Sequence, residues 1–121
     1  MANTFKSAMV DLTTTDLTTI LTVPTADAGS TPPVPPTTDV VKSILICNDS
    51  SSTTLVDLEV LRSSATFEIF KQKSVATNTT TELLNQPLIV EGGTTFTIQS
   101  SSSDSFDVAI SYLNIKKDVI N

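Results

Sequence analysis

Thr94-Thr-Phe-Thr-Ile-Gln99 and Phe106-Asp-Val-Ala-Ile-Ser-Tyr-Leu113 decide the fold class. Phe96 and Ile98 alternate with Thr95, Thr97 and Gln99. Phe106, Val108, Ile110 and Tyr112 alternate with Asp107, Ala109 and Ser111. Successive side chains of a strand point to opposite faces, so period two gives each segment one apolar face. The stretch between them, Ser100 to Ser105, is short and polar, and the pair is predicted to form a hairpin. Tyr112 and Leu113 are expected to close the end of the core.

The same signal recurs along the chain. Leu55 to Leu61 places Val56, Leu58 and Val60 on one face and Asp57 and Glu59 on the other. Val40 to Cys47 is a nearly continuous apolar run and reads as a strand buried on both sides, paired with Leu55 to Leu61 as a second hairpin. Thr66 to Lys73 and Thr18 to Val23 read as further strands. Pro87 limits Glu82 to Val90 to an edge or a bend, because proline has no amide hydrogen for a ladder. Glu91-Gly92-Gly93 reads as a turn. Residues 3 to 10 are a first strand or an ordered arm, with Phe5 as anchor, and residues 1 to 16 are grouped as that arm or strand. The tail Asn114 to Asn121 either extends the last strand or hangs free.

About seven or eight short antiparallel strands with regularly spaced turns predict an all-β chain, one β-sandwich domain over residues 1 to 121, of jelly-roll or immunoglobulin-like type. Composition agrees. Of 121 residues, 15 are Ser and 21 are Thr, and charged residues are only 17%. Thr is β-branched and fits a pleated surface better than a helix. A chain of this length buries a core without disulfides or metals.

Residues 25 to 39 form a Pro-rich loop. Five of the six prolines lie between Pro24 and Pro36. Adjacent prolines favour an extended path without ladder bonds. Pro32, Pro33, Val34, Pro35 and Pro36, together with Phe5, are the candidate interaction residues. No flanking Arg or Lys is present to orient an SH3-type docking.

The chemistry of catalysis is missing from the sequence. There is no His and one Cys. A Ser-His-Asp or Cys-His arrangement within the chain is therefore excluded. Cys47 ends an apolar strand and is expected to be a buried structural thiol. Asp104 and Asp107 flank a Ser-rich turn but make no calcium-loop pattern. Glu91-Gly92-Gly93-Thr94 lacks the Gly-Lys-Ser/Thr ending of a phosphate loop. No catalytic, cofactor-binding or metal-ligating residue is assigned, no cofactor is expected, and the chain is read as no enzyme. The formal charge of −6 disfavours nucleic acid and other anionic partners. Aromatics are 5% with no Trp, so Phe5, Phe67, Phe70, Phe96 and Phe106 are read as core rather than stacking platforms. No run approaches the length of a membrane helix. No secretory leader is evident at Met1 to Lys6, so a soluble product of a cytosol is expected.

Four segments carry a resemblance: Met1-Ala-Asn-Thr-Phe-Lys-Ser-Ala8, Val40-Val-Lys-Ser-Ile-Leu-Ile-Cys-Asn-Asp-Ser50, Leu88-Ile-Val-Glu-Gly-Gly93 and Asp107-Val-Ala-Ile-Ser-Tyr-Leu113. Together they resemble small virion structural proteins of tailed bacteriophages, notably marine and cyanobacterial ones. Thr31 to Pro36 looks like an insertion beyond the short turn usual in that group. The resemblance implies a non-enzymatic subunit of the particle, made in the host cytoplasm and resident in the virion. It would serve as a capsid cement or decoration protein, or at the neck or tail. Its partners would be further copies of itself and the major capsid or neck and tail proteins. No membrane and no small-molecule substrate is implied. The alternative reading is a receptor- or glycan-binding module at a fibre or decoration tip.

Overall fold

The chain alternates between two facing sheets almost every time it turns. A computed structural model describes residues 2–101 and 106–117. Its strands are β1 (Ala2–Leu12), β2 (Thr18–Val23), β3 (Thr37–Asn48), β4 (Thr54–Arg62), β5 (Ala65–Val75), β6 (Thr79–Glu82), β7 (Leu88–Glu91), β8 (Thr94–Ser100) and β9 (Phe106–Lys116). One sheet runs β1-β9-β3-β6 with β7 also on β3; the other runs β2-β8-β4-β5. Every pairing is antiparallel. β6 pairs with Leu45–Asn48 and β7 with Thr38–Val41, so the two share one edge of β3. Counted as one interrupted strand, they complete the eight-strand jelly-roll order. The all-β sandwich is as the alternation predicts. The nine strands exceed the predicted seven or eight because Pro87 and the residues before it break one strand in two.

Both expected hairpins are absent. β8 pairs with β2 and β4, whereas β9 pairs with β1 and β3. β3 and β4 likewise lie in different sheets. Phe96 and Ile98 approach the core from one side, and Phe106, Val108 and Ile110 from the other; all five are buried. Residues 102–105 of the expected hairpin turn, Asp104 among them, lie outside the described residues, as do tail residues 118–121. β4 and β5 do form a hairpin, turning at Ser63 and Ser64, which both take positive φ (53° and 63°). Two successive residues in that region match the strand twist, although Asn or Gly is the usual occupant.

Val40 to Cys47 is covered on one face only. Val41, Ile44 and Ile46 are buried, while Leu45 is 40% exposed and Val40 and Cys47 are half-buried. A register shift between Val41 and Ser43 moves Lys42 out of the alternation. Cys47 is thus not the buried thiol expected from its apolar setting. Among the phenylalanines, Phe96 and Phe106 are core, Phe70 packs against it half-buried, and Phe5 and Phe67 stand 77% and 55% exposed. Leu113 is half-buried with the parity of the outer face, while Tyr112 packs against the core.

The turn at Glu91-Gly92-Gly93 carries the chain from one sheet to the other. A Cβ on Gly92 would lie 2.9 Å from the Pro24 carbonyl oxygen, and Gly93 takes φ +86°. Both positions therefore need glycine. Where β6 leaves β3, the Glu82 carboxylate accepts hydrogen bonds from the Ile44 amide at 2.8 Å, the Leu84 amide at 3.2 Å and the Ser43 hydroxyl. Burial opposes its charge, but these donors and the Leu83 amide hold the carboxyl below its ordinary value. This side chain occupies the place of the missing ladder bonds.

Asp39 is the buried carboxylate of the inner face, with the Asn114 amide donating to it at 2.6 Å. Burial pushes its carboxyl up, against the pull of Asn114, Lys6 and Lys116. The folded state then holds this proton more tightly than the unfolded chain. The stabilising contribution of the neutral group is full below the unfolded value and falls away as pH rises through the folded one. Asp39→Asn keeps an acceptor for Asn114 and stays neutral. Its urea midpoint, followed by circular dichroism, is expected to exceed the wild type's at neutral pH, with the gap closing under acid. A variant less stable at neutral pH would mean that charged Asp39 supports the fold.

Candidate interaction surface on the outer face of the first sheet

The strand registers set the outer face of the β1-β9-β3 sheet into rows. Phe5 is opposite Leu113, Leu113 opposite Val40, and Val40 opposite Ile89. Phe5 is 77% and Ile89 67% exposed. The next outward row is Ser7, Ser111 and Ser43. Beyond it lie Met9, Ala109 and Leu45, with Met9 78% exposed and Leu45 40%. Asp11, Asp107 and Cys47 form the last row. Two apolar rows thus flank a serine row, with carboxylates at one end. Small Ala109 sits between Met9 and Leu45, and a shallow hollow opens there.

This face exists because β1 and β3 are apolar on both sides. On β1, Leu12 is buried and Ala8 and Val10 pack against the core, while Phe5 and Met9 take the opposite parity. Scattered exposed apolar residues are ordinary, but contiguous rows mark contact surfaces. Asp11 and Asp107 are neighbours across β1 and β9. Burial, then the charge of Asp11 and a hydrogen bond with it, then Asp49, push the Asp107 carboxyl up. No group of three or more metal-ligating side chains occurs among the described residues.

Phe5 belongs to this surface and not to a free arm. Ala2–Leu12 pairs with β9 along its whole length without a register shift. Of the two readings for residues 1 to 16, the strand is the one adopted over β1. The Pro-rich segment folds on itself. Asp27 and Val34 exchange backbone hydrogen bonds at 2.9 and 2.8 Å, and the Lys117 amide donates to Pro36 O at 3.0 Å. The Thr31–Pro32 peptide is cis. Pro32, Pro33 and Pro36 are exposed; Val34 and Pro35 are half-buried. Because Thr37 is opposite Lys116, and Lys116 opposite Ala2, the loop leaves the sheet at the end nearer Phe5. The structure therefore brings Phe5 and Pro36 to one end of the sheet.

Met9, Leu45, Ile89 and Leu113 are not among the interaction residues singled out from the sequence. Their signal was present: Phe5 and Met9 alternate against Ala8, Val10 and Leu12, and Leu88-Ile89-Val90 is apolar without a break. Apolar residues at both parities mean two apolar faces, and the inner sheet contact covers only one.

A second apolar feature opens between β5 and β7. Phe67 and Ile69 face Leu88 and Ile89 across a slot, and the Arg62–Glu91 ion pair spans its mouth at 2.5 Å. Phe67 is exposed at this slot. No helix among the described residues is long and apolar enough to cross a membrane. Comparison of the chain with protein-family models gives no match, and comparison with curated proteins gives none either.

Proposed function

We propose that this chain is a non-enzymatic structural subunit of a tailed-bacteriophage virion, acting through contacts with further copies and with capsid, neck or tail proteins. The observation that supports this most is the pair of uncovered apolar rows, Phe5-Leu113-Val40-Ile89 and Met9-Ala109-Leu45. Such rows on a rigid sheet are suited to burial against protein. The jelly-roll order occurs in viral capsid domains and equally in lectins, so the fold by itself does not choose. The apolar character of the face favours protein contact over a glycan, which asks for hydrogen-bonding groups and stacking aromatics. In an assembly of many copies, weak contacts add through symmetry.

The test is labelling of purified particles with an antibody raised against this chain, read by electron microscopy alongside mass spectrometry of the same particles. The expected result is label at fixed, symmetry-related positions and a constant copy number per particle. Protein abundant in infected cells yet absent from washed particles would refute the assignment.

A further inference from the structure

We infer that the outer face of the first sheet takes a second copy of this chain, face to face, about a two-fold axis running along Ser7, Ser111 and Ser43. This deepens the structural-subunit reading and rests on it for the setting in which the copies meet. The Phe5 row and the Met9 row lie on opposite sides of the serine row, each two residues away on β1 and β9. A two-fold axis in the sheet plane, across the strands, carries each row onto the other. Leu113 then lies over the partner copy's Ala109 hollow, Phe5 over Met9, and Val40 over Leu45. Large side chains meet small ones or flexible ones, and at the edge Ile89 falls over Glu82, whose carboxylate is held by the Ser43 hydroxyl and the Ile44 amide.

The same operation carries Asp11 over the partner copy's Asn3 and Asp107 over its Ile115, so the neighbouring carboxylates of one copy meet neutral side chains of the other. A parallel stacking would set acid on acid. The area is also sufficient in scale. Four strand positions about 4.8 Å apart, over some seven residues at about 3.4 Å, give roughly 500 Å² per copy. A total near 1,000 Å² sits at the lower limit for a specific interface, which fits a contact completed within a larger assembly.

Sedimentation equilibrium of the purified chain is expected to show a concentration-dependent dimer. Phe5→Ser with Met9→Ser is expected to weaken it about a hundredfold or more, because each loss counts twice in a two-fold contact. Both side chains are exposed in the single chain, so the unfolding curve of the dilute protein should scarcely move. Register is checked by thiol cross-linking in a Cys47→Ser background with a short bismaleimide. Ser111→Cys lies on the axis and should link to itself. Ala109→Cys and Leu113→Cys should each stay unlinked alone and link when mixed. A monomer at every concentration overturns the inference. So does a dimer indifferent to the double Ser variant, as edge pairing through β1 would be, or self-linking of Ala109→Cys. None of these outcomes bears on whether the chain is found in particles, so the two readings fail separately.

Discussion

Phe96→Ala is expected to lower the free energy of unfolding by about 3–5 kcal/mol. Phe96 is 1% exposed and lies mid-strand in β8. It is opposite Leu21 on β2 and Val60 on β4, so its strand is hydrogen-bonded on both sides. Flanking ladders stop the backbone from moving inward to fill the space, and the lost transfer energy is joined by the cost of a cavity. That loss is a large part of the stability ordinary for a domain of this size. Urea unfolding by far-ultraviolet circular dichroism is the suitable measurement, since the chain has no Trp. Phe5→Ala is the control. The same residue type at 77% exposure should cost about 0.5 kcal/mol or less in the monomer. Equal costs at the two positions would mean that the sheets are packed differently.

The second large effect is expected at Asn48, where β3 ends and the chain crosses to the other sheet. Its side chain is fully buried. The amide nitrogen donates to Ser52 O at 3.0 Å and Val75 O at 2.9 Å. Its oxygen accepts from the Ser50 amide at 2.9 Å and the Ser50 hydroxyl at 2.6 Å. One residue thus ties the ends of β3 and β5 to the crossing loop. Asn48→Ala strips partners from several buried groups and should cost about 2–4 kcal/mol. Amide hydrogen exchange should rise first at Ser50 and at the ends of β3 and β5. Asn48→Asp is the sharper probe, because it keeps the shape, removes both donors and buries a charge against two carbonyl oxygens. It should be worse than Ala at neutral pH and recover as acid protonates it. Tolerance of Asp at neutral pH would contradict the hydrogen-bond assignment.

Much of the architecture is legible in the residues alone. Alternation names the inward face of β4, β8 and β9, and Val56, Leu58, Phe96, Ile98, Phe106, Val108 and Ile110 are all buried as their parity requires. Pro87 marks the broken edge, and Gly92 and Gly93 mark a crossing between sheets. Phe5 could be singled out from sequence as an apolar residue near the chain start, but its row could not. The rows depend on which strand lies beside which, and alternation is silent on that.

The N-terminal segment and the Pro-rich loop show the same divide. Their composition says that one holds an apolar anchor and the other resists regular ladders. Only the fold makes the first an edge strand and ties the second back through Val34 and Pro36.

Thr94–Gln99 and Phe106–Leu113 are legible as strands from their residues alone, and so are the side chains each buries. Period two is a local property, set by the backbone of one strand. Their placement in opposite sheets, with β9 between β1 and β3, comes from long-range strand pairing. A face-to-face contact and a side-by-side pairing both satisfy the same apolar face, and the choice between them rests on hydrogen-bond partners distant in the chain. That choice also left Phe5, Met9, Leu113 and Leu45 together on an uncovered face.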